Sequence, residues 1–491
     1  MRTLNNFIGG KWRESRGSRI KDLNPADISD VVAEAPSSTA AEAAEACEAA
    51  ARAFDAWRHT PAPVRGQILF KVQRRMEERR QELAEALTRE EGKTIAESRG
   101  EIQRAINVIE FFAGEARRIT GETIPSELPN NFCYTLKQPV GPVAVITPWN
   151  FPVAIPIWKI APALVSGNTI VFKPATLTPL TAALIVEIFD ECGLPPGVLN
   201  LVFGGGREVG DTIVRHPAIL AVSFTGSNDV GVGLYGAAAA RGIKCQCEMG
   251  GKNPIVVLED ADLDLAVEST LQGAFGSTGQ RCTATSRAVV VDTVANAFVE
   301  RLAARTASLV VGNGLHPSTN VGPSVDERQL ETVLSYVDAG RQEGATLVRG
   351  GERVRDDGRD RGFFVAPAIF DHVDANMRIA QEEIFGPVLS LIRVPDNSSA
   401  LSVANNVRFG LSASVYTSDV ASMFKFVDRL DAGIIHVNSP TVGGEAHIPF
   451  GGMKATGVGL REMGRVAIDF YTELKVVYVD YTGGVRKTNL Y

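Results

Sequence analysis

The chain is expected to be an α/β protein, with a Rossmann-type, doubly wound parallel sheet and a second α/β domain. Three observations carry this. Between about residues 142 and 240, short apolar strands alternate with amphipathic helices, the pattern of a parallel sheet covered on both faces. The alternation restarts after Asn253. And 491 residues exceed one ordinary core, so two or three domains are required.

Taken in order, "NFIGGKW" (6–12) reads as a hairpin, with Gly9-Gly10 supplying the positive φ of a tight turn. Thr39 then caps a helical region running to about Arg118. Its three segments, 38–57, 63–92 and 100–118, repeat apolar residues three and four apart. "GETIPSELPNNFCYTLKQPVG" (121–141) is strand-like with turn residues. Four strand–helix pairs follow: "PVAVITPWN" with "AIPIWKIAPALVSG", "NTIVFKP" with "TPLTAALIVEIFDECG", "GVLNLVFGGG" with "REVGDTIVRH", and "LAVSFTGS" with "NDVGVGLYGAAAARG". In the second domain "NPIVVLEDADLDLAVESTLQGAF" (253–275) is strand then helix, and "GFFVAPAIF" (362–370) is strand. The tail "FYTELKVVYVDY" (470–481) is strand.

Composition excludes several functions. Fifty basic against 57 acidic residues, with no basic run, argue against nucleic acid as a partner. No apolar run approaches the roughly 18 residues of a membrane span, and "MRTLNNFIGGKW" has no signal-peptide core. Six cysteines without framework spacing read as free thiols of a cytoplasmic protein. The six histidines are scattered, and Cys245-x-Cys247 is ordinary strand alternation, so no metal is expected. The glycines of "GVGLYG" (231, 233, 236) fall inside a helix rather than at a strand–helix turn, and read as packing glycines. Better ligand positions are Lys173, at a strand's carboxyl end, and Ser227, at a helix N-terminus.

One cysteine stands apart. Cys282, in "GSTGQRCTATSR" (276–287), lies among small polar residues, where a core cysteine would have Val, Leu and Ile. An accessible thiol of this kind suits a nucleophile, whose reactive form is the thiolate.

"TPWNFP" (147–152), "VFKPAT" (171–176), "FTGS" (224–227), "CEMGGKNP" (247–254), "GQRCTA" (279–284), "EEIFGPV" (382–388) and "PFGGMKATGVGLREMG" (449–464) occur in this order. Together they resemble the NAD(P)-dependent aldehyde dehydrogenase superfamily over nearly the whole chain. The resemblance implies an aldehyde dehydrogenase-like fold. A cofactor-binding domain would span 1–119 and 141–247 and a catalytic domain 248–440. The strands of 120–140 and 470–491 would make a β arm joining a homodimer or homotetramer. It implies oxidation of an aldehyde to an acid with NADP or NAD. Cys282 would be the nucleophile, Asn150 with the Cys282 backbone N–H the oxyanion donors, and Glu248 the base that activates water against the thioester. Lys173 would meet the adenosine ribose, Ser227 the pyrophosphate, Glu383 the nicotinamide ribose and Phe385 its ring. Ile146, Thr147, Pro148, Trp149, Ala175, Thr176, Gly206, Gly210, Phe224, Gly226, Val230 and Gly250 complete the implied cofactor set. NAD-selective relatives often carry Glu where this chain has Thr176; a hydroxyl would not repel a 2′-phosphate, so NADP is expected to be accepted.

The substrate expectation rests on arginine. Arg281 adjoins the nucleophile. Arg104 lies about 200° around its helix from the core residue Ile102, at 100° per residue, on a face shared with Val108 and Phe111. Two arginines suit a carboxylate or phosphate. With Phe151, Trp158 and Thr283 they would form the substrate pocket for a small anionic aldehyde. The Cys282 segment and the "VVYVDY" tail look most like 2-oxoglutarate semialdehyde (2,5-dioxopentanoate) dehydrogenases. Succinic or glutaric semialdehyde and glyceraldehyde 3-phosphate are the alternative substrates. A CoA-acylating enzyme would often lack Glu248. A non-catalytic binding protein would not need Cys282, Glu248 and Asn150 together.

Overall fold

The computed structural model describes residues 1–485. The last part of the expected C-terminal arm, 486–491, lies outside the described residues. The hairpin forms as expected: Asn6–Ile8 pairs antiparallel with Lys11–Arg13, and Gly9 and Gly10 take φ of +63° and +77°. Four helices follow, Ala40–His59, Ala62–Glu78, Arg80–Glu91 and Ile95–Glu115. Thr39 and Thr94 each close a capping box with a Glu three residues on, which sets where the first and fourth helices start. A small sheet of Arg2–Thr3, Val31–Pro36 and Arg19–Leu23 was not expected from sequence. Its strands are short and partly exposed, so they carry little period-2 signal.

The first large sheet has eight strands. Its parallel centre runs, in space, Lys244–Glu248, Ala221–Thr225, Val143–Ile146, Ile170–Lys173, Leu199–Leu201. In chain order this is 5-4-1-2-3, so the winding reverses between Val143–Ile146 and Ala221–Thr225. Ligands of doubly wound sheets bind at the carboxyl ends of the strands flanking such a reversal. The edges are closed by the N-terminal hairpin and by Gly457–Val458, a segment from far along the chain that pairs antiparallel with Cys247 and Glu248.

The second sheet has seven strands: Thr346–Arg349, Ala368–Asp371, Val388–Val394, Thr285–Val291, Asn253–Val257, Ser412–Tyr416 and Ile434–Val437. All neighbours are parallel except the first pair. Only the end of the expected 362–370 strand is strand, because Pro367 breaks the ladder before Ala368. A third sheet pairs Thr472–Asp480 with Asn131–Pro139, and that with Thr123–Ile124. Its outer face is apolar and open, with Leu474 62%, Val476 50% and Tyr478 71% exposed. Among the described residues no helix is long and apolar enough to cross a membrane, and no group of His, Cys, Asp and Glu could hold a metal.

Candidate active site

A cleft of about 750 Å³ opens at the winding reversal of the first sheet. Ile146, Thr147, Pro148, Trp149 and Asn150 line it from the end of one strand, and Phe224, Thr225, Gly226 and Ser227 from its neighbour. Lys173, Gly206, Gly210, Val230 and Gly250 complete that half, and Cys282, Glu383 and Phe385 reach in from the second sheet. Sixteen residues were expected to hold a cofactor. The structure leaves only Ala175 and Thr176 off the lining: after Pro174 the chain turns outward, and Thr176 is exposed. Sequence reasoning missed Arg207, Asp211, Arg215 and Gln329, which also line the cleft. No motif marks them: they sit in the helical segments 206–215 and Glu327–Gln342, brought to the cleft by packing.

The donor set fits a dinucleotide. Ser227 caps the Asn228–Ala240 helix with extended backbone while its side chain makes no capping bond, leaving its hydroxyl for a ligand beside the helix N-terminus. The buried hydroxyls of Thr147 and Thr225 have no hydrogen-bond partner. Burial pushes the Lys173 ammonium down to about 8, and its Nζ donates only to the Pro174 carbonyl, at 3.0 Å. Glu383 accepts the Gly251 N–H at 2.9 Å, and burial raises its carboxyl to about 7. A Cβ at Gly250 would lie 2.0 Å from Glu383 Oε2, so a larger residue there would displace the carboxylate. Phe385 stands edge-on to Trp149 with ring centres 5.3 Å apart. Its φ of +56° is costly for a bulky residue, and Gln329 fixes the turn by donating to the Ile384 and Phe385 carbonyls at 3.0 and 2.9 Å.

Cys282 sits in the loop before Thr285–Val291. Ser277 and Thr278 both take left-handed backbone there, as does Gly279, whose Cβ would meet the Gly386 carbonyl at 2.2 Å. Asn253 ties the loop down: its Nδ2 donates to the Cys282 and Ala284 carbonyls at 2.8 and 2.9 Å, and its Oδ1 accepts the Ser412 N–H at 3.0 Å. The Asn150 amide, buried, donates to the Gln280 carbonyl at 3.1 Å. The structure thus ties Asn150 to the cysteine loop.

Burial and the carboxylates of Glu383 and Glu248 push the Cys282 thiol up to about 12. Glu248 ends the Lys244–Glu248 strand, outside the residues that line the cleft. It is buried, and its Oε2 has no partner. Burial, then the nearby Glu462, raise its carboxyl well above the usual range, against Lys159 and Arg461. Lys159, itself buried, donates to Glu462 and, at 3.0 Å, to Ser223.

Of the expected substrate residues, Arg104 lines a second cavity of about 660 Å³ with Phe111, Arg118, Gly444 and His447. It donates to the Gly444 carbonyl and lies over Trp158, 5.5 Å from the ring centre, while its Nε has no partner. Its charge is coupled to that of Cys282. Arg281 is less free than expected: it pairs with Glu97 at 3.3 Å and donates to Ser277 Oγ at 3.0 and 2.8 Å. It lies 5.8 Å from the Phe151 ring. Phe151, Trp158 and Thr283 line neither large cavity; Trp158 and Thr283 are buried behind it.

A fold built on two large α/β sheets, with a dinucleotide-shaped cleft ending on a half-buried cysteine, defines an oxidoreductase of the dehydrogenase class. The Aldehyde dehydrogenase family's signature matches residues 12–477, and the chain belongs to that family. It is 48% identical over 478 residues to the alpha-ketoglutaric semialdehyde dehydrogenase of Bacillus subtilis, covering 97% of this chain and 98% of that protein. It is 45% identical over 474 residues to the 2,5-dioxopentanoate dehydrogenase of Saccharolobus solfataricus, covering 96% and 98%. Its fold superposes with a TM-score of 0.96 on betaine aldehyde dehydrogenase of Staphylococcus aureus in complex with NAD+, at 34% identity, covering 98% and 96%. The expected fold and enzyme class are borne out.

The raised thiol gives a pH prediction. Alkylation of Cys282 by iodoacetamide should still be climbing above about pH 10.5, where an unperturbed thiol has levelled off, because the thiolate is the reactive form. Glu383→Gln removes one of the charges that raise the thiol, so it should shift that curve to lower pH. A plateau by about pH 10.5 in the wild type, or no shift in the variant, would contradict the assignment.

Proposed function

We propose that this chain oxidises an ω-carboxylated semialdehyde to the diacid with NADP or NAD, and that 2-oxoglutarate semialdehyde (2,5-dioxopentanoate) is its preferred substrate. The observation that carries the reading is Arg104: a half-buried guanidinium whose Nε is buried and unpartnered, on a cavity of its own, near enough to Cys282 for a thiolate there to favour its charge. An anionic tail held there leaves the aldehyde end free to reach Cys282. The names of the two semialdehyde dehydrogenases above support the same class.

The residues take these roles. Cys282, once deprotonated, adds through Sγ to the aldehyde carbon. The alkoxide so formed is held by the Asn150 amide and the Cys282 backbone N–H, donors fixed before the charge develops. The nicotinamide, when bound in the cleft, supplies the hydride acceptor. Glu248, ionised, takes a proton from water as the hydroxide adds to the thioester; Cys282 leaves as thiolate and the acid is released. Lys173, Ser227 and Glu383 would hold the cofactor, with Arg207, Asp211, Arg215 and Asp229 also lining the cleft. Thr176, exposed three residues after Lys173, carries no charge that would repel a 2′-phosphate.

We further assign the apolar faces of Thr472–Asp480 and of the Asn228–Ala240 helix, where Val232 and Tyr235 are exposed, to contacts between copies in a homodimer or homotetramer. Six free cysteines support a reducing, cytoplasmic setting. The cofactor-binding and catalytic domains are drawn at 1–119 with 141–247 and at 248–440.

Two assays test the reading. Wild type should prefer succinic semialdehyde to butanal in kcat/KM. Arg104→Leu should remove roughly ten- to a hundredfold of that preference, the equivalent of a charged hydrogen bond; Arg281→Leu, already paired with Glu97, should remove less. A neutral aldehyde used better by the wild type, or an undiminished preference in both variants, would refute the substrate class. NADP should sustain turnover at saturating aldehyde, and Thr176→Glu should lower the NADP-to-NAD ratio. An unchanged ratio would remove position 176 from cofactor choice.

A further inference from the structure

The Asn150 turn is held by an ion pair that touches neither cleft. Lys93, following the Arg80–Glu91 helix, and Glu101, on the Ile95–Glu115 helix, are both fully buried. Lys93 Nζ donates to Glu101 Oε2 at 2.7 Å and to the Asn150 carbonyl at 2.6 Å, and sits 4.0 Å from the Phe151 ring centre. The other Glu101 oxygen accepts the N–H groups of Val153 and Ala154, at 2.9 and 3.0 Å. Those amides begin the Ala154–Ser166 helix, whose first-turn N–H groups have no partner within the helix and whose dipole favours an anion. The turn 150–154 is therefore pinned at both ends: its first carbonyl by the ammonium, its last amides by the carboxylate.

A buried ion pair is a poor way to gain stability, because desolvation offsets most of the attraction. What this one supplies is direction. Each charge has more than one partner, and those partners fix where the Asn150 side chain starts and which way it points. The nearest alternative counter-charge, Glu91 Oε2, is 3.8 Å from Lys93 Nζ, and its other oxygen is unpartnered.

We propose that Lys93 and Glu101 are positioning residues for the oxyanion donor: they set Asn150 for the alkoxide formed on Cys282 and contact neither substrate nor cofactor. This rests on the role given to Asn150 above. An oxyanion donor acts only if fixed to within a fraction of an ångström, so loosening its mount costs rate rather than substrate affinity.

The test is a double-mutant cycle, read as the single-turnover rate of nicotinamide reduction with succinic semialdehyde and NADP. Lys93→Met should slow that rate about tenfold or more. The dissociation constant for NADP, from fluorescence quenching, should stay within about twofold, since Lys93 does not line the cleft. On the Asn150→Ala background, Lys93→Met should cost nothing further. Glu101→Gln keeps an acceptor for the two amides while losing the charge. It should slow the same step less, again only when Asn150 is present, and serves if Lys93→Met does not fold. A loss of equal size on both backgrounds, or an unaltered rate in the single variants, overturns the proposal. If Asn150→Ala alone leaves the rate unaltered, the role of Asn150 itself is wrong, and that variant shows it without reference to Lys93.

Discussion

The active-site arrangement hangs on the side chain of Asn253. It stands at the start of a central strand of the second sheet and satisfies three backbone groups from two other segments: the carbonyls of Cys282 and Ala284, and the N–H of Ser412. Without it those buried groups would be orphaned, and the loop carrying the cysteine would lose its register against the sheet. Gly251 is part of the same constraint, since a Cβ there would lie 2.6 Å from the Cys282 carbonyl. The first sheet supplies the cleft, the second supplies the sulfur, and the short connection Met249–Asn253 sets the distance between them.

The chemistry follows from how much charge this junction buries. Cys282, Glu248 and Glu383 lie near one another with little water, and each is driven toward its neutral form. A thiol and an acid kept neutral at rest are stored reagents. Each gains reactivity when it loses a proton, so both halves of the reaction are expected to speed up as pH rises through the raised range. The cation behind Glu248 is Lys159, already committed to Glu462. That pair moderates the repulsion between the two carboxyls without giving Glu248 a direct hydrogen bond to lysine.

Much of this was legible in the sequence, for physical reasons. The parallel sheet announced itself because strands buried on both faces must be nearly continuously apolar, and "VAVI" and "IVF" are. Cys282 stood out because its neighbours are wrong for a core. Lys173 and Ser227 were found because strand and helix ends are where such sheets bind ligands. What stayed hidden depends on contacts between distant segments. Thr176 shares a motif with Lys173 yet faces solvent, because Pro174 turns the chain away. Arg281 adjoins the nucleophile in sequence but is spent on Glu97, while Arg104, far away in sequence, reaches Gly444 and Trp158. Gln329 and Asn253 carry no motif at all. Their importance lies in the carbonyls they cap, which no period or spacing reveals.

In the proposed mechanism Cys282 carries the acyl group and Glu248 releases it. The most direct measurement is the intact mass of the Glu248→Gln variant, quenched in acid after mixing with NADP and succinic semialdehyde. With the base gone, the thioester should accumulate, adding one acyl group per chain, and peptide mapping should place it on Cys282. An unmodified protein in the presence of reduced cofactor, or an adduct on any other residue, would contradict the account.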